Sequence, residues 1–335
     1  MRIVIDAMGT DERPGPDVEG AVLAAKEFGD EIILVGDEAR VKLELDKHET
    51  AGLKIELVHA ADEIEMDEKP QLAIRKKKNS SMHVGMNLVR DGQADGFVTM
   101  GNTGAVVGVA TLQTLKRIPG VLRPPLSAIF PVASRPLLLD IGANVDCKAE
   151  QLLQFGIMGS IYMELAMGRE RPRVALMSTG EEDGKGSLAV REAADLLADS
   201  GLNFVGNIES KEFFADGADV VVADGFIGNV VMKTAEAVTR MMSDMIRDTA
   251  MESWRTMLGA ALMRPAFAKV RDKVNPFEVG GAPLLGVNGV VIIGHGRSNG
   301  YAVKQGVGQA RRAVEQGVVE AIRVGMEARE ERDEA

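Results

Sequence analysis

A single cysteine, Cys147, stands in the 335 residues. No disulfide can close within the chain, which suits a reducing cytoplasm. The four histidines, His48, His59, His83 and His295, are scattered without metal-ligand spacing. With one thiol they assemble no zinc site, and neither a metal nor another cofactor is expected. Aromatic residues make only 4% of the chain while methionine occurs 18 times, so the core must be aliphatic. No apolar run reaches the roughly 20 residues of a membrane-spanning helix. Met1 leads straight into Arg2-Ile3-Val4-Ile5 with no basic leader and long apolar stretch, so no signal peptide is expected. The formal charge of −11 repels nucleic acid, and no such partner is expected. Recurrent catalytic motifs are missing too. No Gly-x-Gly-x-x-Gly follows the first strand, Gly184-Lys185-Gly186-Ser187 lacks the upstream glycine of a Walker loop, and no Gly-x-Ser-x-Gly elbow occurs.

What is present is an alternation of short aliphatic runs and helical stretches. Ile3–Ile5, Ile32–Val35, Ile55–Val58, Gly96–Val98, Leu137–Leu139, Val174–Leu176, Val220–Val222 and Val290–Ile293 read as strands. Several are apolar on both faces, as a buried parallel strand must be. Val18–Phe28, Met82–Arg90, Glu150–Met167 and Leu188–Leu197 read as helices between them. The pattern predicts an α/β fold with a mostly parallel sheet flanked by helices. Residues 1–330 form one domain or two tightly coupled lobes, and 331–335 a frayed tail.

Nearly every strand ends in small or polar residues, and ligands of open α/β sheets bind beyond the carboxyl ends of strands. Gly101-Asn102-Thr103-Gly104 and Gly184-Lys185-Gly186-Ser187 each precede a helix. Gly294-His295-Gly296-Arg297-Ser298-Asn299 follows the last strand. Free N–H groups at such turns suit an anion, so the three loops together predict a phosphate cradle. Each taken alone is equally a turn that glycine and asparagine permit.

Residues 233–273 read as helix with almost no strand signal. Trp254, Met257, Leu258, Ala261 and Leu262 share one face, while Gly259 and Pro265 interrupt the run. A protruding helical hairpin with an apolar tip is predicted. Such a stripe packs a core or a dimer, or lies on a membrane surface, where Trp254 and the flanking Arg255, Arg264 and Lys269 suit the interface. Basic residues cluster at Arg75–Lys78 and again at Arg264, Lys269, Arg271 and Lys273, either as solvated helix faces or as landing sites for an acidic partner.

Several stretches, in order, carry a resemblance. They are Asp6-Ala7-Met8-Gly9, Gly101-Asn102-Thr103-Gly104-Ala105, Leu139–Lys148, Gly180-Glu181-Glu182, Asp224-Gly225-Phe226-Ile227-Gly228-Asn229-Val230 and Gly280–Gly286. Over essentially its whole length the chain resembles the bacterial phosphate acyltransferase (PlsX) family. The departures are Thr10, where the family usually has a second glycine, Met100 for serine, Asn79 for aspartate, Arg297 for serine, and Ser178-Thr179 where an asparagine is usual. The resemblance implies a fold akin to isocitrate/isopropylmalate dehydrogenase and phosphotransacetylase. It implies a homodimer, peripheral attachment to the inner face of the cell membrane, and transfer of a fatty acyl group from acyl carrier protein to inorganic phosphate. The acyl phosphate then feeds a membrane glycerol-3-phosphate acyltransferase.

That chemistry needs alignment and an oxyanion stabiliser more than a strong base, because phosphate is already an anion. Lys185, which falls on the family's functional lysine, is expected to neutralise phosphate and the oxyanion, with Asn229 as amide donor. Gly101, Asn102, Thr103, Gly104, Asn144, His295 and Ser298 are the expected substrate contacts. Asp140 and Asp146 are expected to orient loops, and Cys147 to take no covalent part. An acidic carrier protein is expected on Arg264, Lys269, Arg271 and Lys273, with Arg75–Lys78 as second choice. The hairpin's Trp254, Met257, Leu258 and Leu262 are assigned to the membrane. A phosphotransacetylase-like transfer from acyl-CoA is the alternative; a nicotinamide-dependent dehydrogenase lacks its metal-binding carboxylates, and a non-catalytic membrane scaffold has only the hairpin in its favour.

Overall fold

The computed structural model describes residues 1–132, 134–273 and 280–334, without the side chains of 271–273 and 332–334. Its strands are β1 (Arg2–Asp6), β2 (Glu31–Gly36), β3 (Ile55–His59), β4 (Gly96–Thr99), β5 (Ser127–Ile129), β6 (Leu137–Leu139), β7 (Val174–Met177), β8 (Phe204–Ile208), β9 (Val220–Val222), β10 (Ala282–Pro283) and β11 (Val290–Ile293). Its helices are α1 (Gly15–Phe28), α2 (Glu38–Leu45), α3 (Pro70–Lys76), α4 (Ser81–Arg90), α5 (Thr103–Gly108), α6 (Ala149–Met167), α7 (Leu188–Ala198), α8 (Ser210–Phe214), α9 (Gly225–Met251), α10 (Trp254–Lys273), α11 (Gly300–Glu315) and α12 (Val318–Glu334).

The strands make two sheets, a six-stranded one ordered β10-β11-β4-β1-β2-β3 and a five-stranded one ordered β5-β6-β9-β7-β8. All pairings are parallel except those of the edge strands β10 and β5. The central strands β1, β4, β6, β7 and β9 are buried almost throughout, which is why they read as unbroken aliphatic runs. The two antiparallel edges meet. Leu126 bridges Leu284, the Ser127 hydroxyl donates to the Pro283 carbonyl at 3.0 Å, and Leu285 N–H donates to the Pro125 carbonyl at 3.0 Å. Each edge thus covers the other instead of facing water.

Helices α1 and α11 pack on one face of the first sheet and α4 on the other, while α6 and α7 cover the second. One core cluster runs from Ile3 and Leu34 through Phe155 and Met158 to Leu176 and Val222, so the lobes share their interior. The buried Tyr162 hydroxyl of α6 accepts from Gln309 Nε2 of α11 at 3.0 Å across that junction.

The sequence pattern misses β5, β8 and β10. Two prolines precede β5, β10 has two residues, and β8 carries Gly206 at φ +95° with an irregular register against β7. The hairpin does not turn at the residues that interrupt its run. The chain reverses at Glu252–Ser253, and α10 then runs on through Gly259 and Pro265. The stop is set by a cap: Ser253 Oγ accepts the Thr256 N–H at 3.2 Å and Thr256 Oγ1 accepts the Ser253 N–H at 3.1 Å. That reciprocal pair outweighs the glycine and proline as a boundary signal. At the other end of the chain α12 continues through Glu334 and takes in residues expected to fray.

Candidate active site

In the first lobe three strand-end loops are tied together beneath the surface. Asp6, at the end of β1 and 1% exposed, accepts from Met8 N–H at 3.0 Å and from the Thr99 hydroxyl at 2.7 Å. Thr99 Oγ1 in turn accepts the Gly101 N–H at 3.0 Å. Gly9 lies so close to β4 that a Cβ there would sit 2.7 Å from Met100 N. Next to it, Asp11 N–H donates to the Gly296 carbonyl at 2.7 Å. The loops after β1, β4 and β11 therefore converge, bringing Gly101, Thr103 and Gly104 together with His295 and Ser298.

Within this group the side chains are not equally available. Asn102 Oδ1 caps α5 by accepting Ala105 N–H at 3.1 Å, and its Nδ2 reaches the carbonyls of Glu65, Met66 and Glu68 at 3.0–3.3 Å. Its amide holds the 65–68 loop rather than projecting toward a ligand. Thr103 and Gly104 are exposed at the turn, and Ser298 is buried with its N–H on the His295 carbonyl at 2.8 Å.

In the second lobe Asp140 ends β6 at 0% exposure and gathers five donors. Its Oδ1 accepts from the N–H groups of Leu126, Gly142 and Ala143 at 3.0–3.1 Å, and its Oδ2 from Asn144 N and Nδ2 at 2.6 and 2.8 Å. Asn144 Nδ2 also donates to the Pro124 carbonyl at 2.9 Å, so this expected substrate contact spends its amide nitrogen on the loop. The Asn144 carbonyl accepts Gly225 N–H at 2.7 Å, which docks the start of α9 on the turn. One turn on, Gly228 faces the Asp140 carbonyl so closely that a Cβ would lie 1.9 Å from its oxygen. Asn229, next in sequence, stands exposed beside Gly142, whose φ of +136° excludes most side chains.

Lys185 lies in the loop between β7 and α7. Its backbone N–H donates to the Glu182 carbonyl at 3.2 Å, its aliphatic stem packs by Gly180, and its ammonium is exposed. Ser187 caps α7 by accepting Val190 N–H at 3.3 Å. The loop is braced by Asn207 Nδ2 on the Glu182 carbonyl at 3.3 Å and by Lys211, which meets Glu181 at 3.0 Å and Glu212 at 3.2 Å. Sequence reasoning missed both braces. Strands β7 and β9 are parallel neighbours, so Lys185 and Asn229 emerge from the same edge of the sheet, though no hydrogen bond among the described residues joins them.

His295 of the first lobe lies within electrostatic reach of Lys233 and Glu236 of α9. Partial desolvation and then Arg297 hold its imidazole below the ordinary value; Lys233 adds to this, while Glu236 and Asp11 oppose it. The ring is therefore neutral at pH 7, and it offers a hydrogen bond rather than a charge. Cys147 is inert. It is buried, its thiol faces the Asn144 carbonyl at 3.4 Å, and burial first and then Asp140 push it up to about 12. Among the described residues no three carboxylate, histidine or cysteine side chains are grouped to hold a metal. Two cavities, one between β11 and α12 and one at residues 116–121, are not lined by the strand-end residues.

The remaining expected residues lie along the hairpin. Trp254, Met257, Leu258 and Leu262 are exposed in the first nine residues of α10, together with Arg264 and Lys269 further along it. The side chains of Arg271 and Lys273 lie outside the described residues. α10 packs chiefly on α9, whose far end stands about 33 Å from Asn229 at 1.5 Å per residue. No helix of the described residues is long and apolar enough to cross a membrane.

The family described as "Fatty acid synthesis protein" matches residues 1–321. Phosphate acyltransferases match nearly end to end. That of Myxococcus xanthus is 47% identical over 324 residues, 95% of this chain and 91% of its own. That of Trichlorobacter lovleyi is 43% identical over 323 residues, 96% of this chain and 93% of its own. This chain belongs to the phosphate acyltransferase family. Its fold is that of phosphotransacetylases: the Streptococcus pyogenes enzyme superposes with a TM-score of 0.58 at 19% identity, covering 96% of this chain and 94% of its own. A branched-chain phosphotransacylase from Enterococcus faecalis gives 0.57 at 15% identity, covering 94% of this chain and 100% of its own. The positions expected from the sequence to depart from the family pattern have visible settings. Met100 is buried against Gly294, Arg297 is exposed beside His295, Asn79 is exposed with its carbonyl on Asp62 N–H at 3.2 Å, and Thr10 is fully buried.

Proposed function

We propose that this enzyme transfers a long-chain fatty acyl group from acyl carrier protein to inorganic phosphate, an early step of phospholipid synthesis. The observation that carries the reading is the end-to-end match with phosphate acyltransferases. A phosphate oxygen attacks the thioester carbonyl carbon, a tetrahedral oxyanion forms, and the C–S bond breaks to release the carrier's thiolate and the acyl phosphate. The backbone of Gly101–Gly104, with Thr103, His295 and Ser298, receives the phosphate, while Asn102 and Asn144 fix the loops around it. Lys185 neutralises the phosphate and the oxyanion, and Asn229 donates its amide to the same centre. Basic residues of α10, with Arg264 and Lys269 foremost, receive the acidic carrier, so added salt weakens its binding.

The hairpin supports a long-chain substrate and a homodimer attached to the inner face of the membrane. Trp254 is 70% and Leu262 77% exposed, too much apolar surface to leave in water. The likeness in fold to phosphotransacetylases favours acyl-CoA as the alternative donor. Acyl phosphate formation from palmitoyl carrier protein, measured beside that from acetyl-CoA, separates the two. Lys185→Ala and Asn229→Ala are expected to lower turnover about a hundredfold, as loss of an oxyanion donor does. Near-native turnover in both folded variants refutes the assignment.

A further inference from the structure

Two carboxyl groups are buried beneath the loop that follows β1. Asp6 is fully engaged by Met8, Thr99 and the Ser81 side chain. Asp17, the third residue of α1 and 0% exposed, is held differently. The Thr10 hydroxyl donates to its Oδ2 at 2.6 Å, and the Thr10 N–H reaches the same oxygen at 3.3 Å. Its Oδ1 is buried with no hydrogen-bond partner among the described residues. A buried carboxylate with a bare oxygen is costly in the charged form and far less so when neutral. Burial, with the Asp6 charge adding and the Thr10 hydrogen bond opposing, pushes Asp17 up to about 8.

The neighbours on other elements do not offset this. Arg13, before α1, is committed to Glu63 and Glu65. α2 brings Glu44, paired with Lys47, near Gly15. α11 brings Lys304 and Arg311, bound to Glu27 and Asp30 at the far end of α1, and Gly300 against Glu19. β2 contributes Glu31, paired with Arg2 at the opposite end of the sheet, and β3 His59, whose Nδ1 accepts the Glu38 N–H.

Thr10 sits between Gly9, which packs on the N–H groups of Met100 and Gly101, and Asp11, which bonds Gly296. It is thus the centre of the strap joining the three loops of the first lobe. A residue without a hydroxyl at position 10 would take from the buried acid its shortest hydrogen bond. We propose that Thr10 and Asp17 are a positioning pair for the phosphate site: the buried acid anchors the Gly9–Asp11 strap through the Thr10 hydroxyl, and its ionised form, which holds Thr10 more tightly, weakens phosphate capture by the negative charge it adds. The inference rests on the reading of the strand-end loops as a phosphate cradle.

The test is the KM for inorganic phosphate, with kcat, from pH 6.5 to 9.5 on the full chain. In the native enzyme KM is expected to rise about tenfold as Asp17 ionises, the size of one unit charge about 12 Å from a bound anion at an effective dielectric of about 20. Asp17→Asn cannot ionise and keeps an acceptor for Thr10, so its profile is expected to show only the titration of phosphate itself. Thr10→Ser is expected to restore the native profile, and Thr10→Val to raise KM at every pH with kcat little changed. A profile for Asp17→Asn that superposes on the native one overturns the pair. If Asp17→Asn does not fold, Thr10→Val decides alone: native KM values across the range overturn the pair. Absence of saturation by phosphate in the native enzyme overturns the cradle reading itself, which the pair cannot survive.

Discussion

Asparagine at position 140 is a small chemical change with a large expected effect. Asp140 is wholly buried and its two oxygens accept five hydrogen bonds. An amide keeps one of those oxygens. If it remains in the Oδ1 position, the three N–H groups of Leu126, Gly142 and Ala143 stay satisfied. The new NH2 then points at Asn144 N and Nδ2, turning two short hydrogen bonds into donor–donor contacts. Each hydrogen bond to a charged group contributes about 1.5–3 kcal/mol. Part of that is returned because a buried charge disappears: desolvation already holds the Asp140 carboxyl above its ordinary value despite the five donors. The net expectation for Asp140→Asn is a loss of about 3 kcal/mol. With a urea m-value of about 3 kcal/mol/M, the unfolding midpoint falls by roughly 1 M. Turnover falls as well, because the Asn144 carbonyl docks Gly225 and the Asp140 carbonyl seats Gly228, the residue before Asn229. Asp146, exposed in the same loop, is the control, and Asp146→Asn is expected within about 0.5 kcal/mol of native. A native midpoint and native turnover for Asp140→Asn refute the claim that this carboxylate builds the second half of the site.

Two further outcomes follow from the same geometry. Gly228→Ala puts a Cβ 1.9 Å from the Asp140 carbonyl oxygen, so backbone must shift; a stability loss of about 3 kcal/mol in urea unfolding and a lower kcat are expected. Cys147→Ser is expected to keep near-native turnover, and the native thiol to react slowly with a maleimide at pH 7, since its ionisation is pushed up to about 12; an acyl group found on Cys147 by mass spectrometry contradicts this.

The framework was legible because its central strands are buried on both faces. Val220–Val222 and Leu137–Leu139 cannot be read as anything exposed, and each is a strand. What was illegible is short or edge-bound. β10 is only two residues, Ala282 and Pro283, paired with Ile293 and Ile292 of β11, too short for any local pattern to announce it. Gly259 and Pro265 are the residues of the hairpin that disfavour helix, yet the Ser253–Thr256 cap sets its turn. For the site, the loops were readable from their glycines and amides, but not the direction in which each amide points. Asn102 and Asn144 look like ligand contacts in sequence and spend their nitrogens on backbone carbonyls. Asp17 had no signal at all. An acid in the first turn of a helix is ordinarily a solvated partner of the helix dipole, and only the packing around α1 shows that it is buried.

The two residues proposed to act on the reacting centre are held with unequal firmness, and this fits their different tasks. Asn229 stands in the second turn of a helix whose first turn is docked by Gly225 on Asn144, capped by Asp224 on Ile227 N–H at 2.7 Å, and pressed by Gly228 onto Asp140. A neutral donor stabilises an oxyanion only through distance and angle, so it gains from such fixing. Lys185 hangs from a loop with glycine on both sides, its side chain exposed. A point charge tolerates imprecision, because its field falls slowly with distance and has no preferred angle. It follows that substitutions loosening the α9 docking should lower kcat, whereas those loosening the Lys185 loop, such as at Lys211 or Asn207, should act mainly on the KM for phosphate. A fall in kcat with unchanged KM in Lys211→Ala contradicts this division of labour.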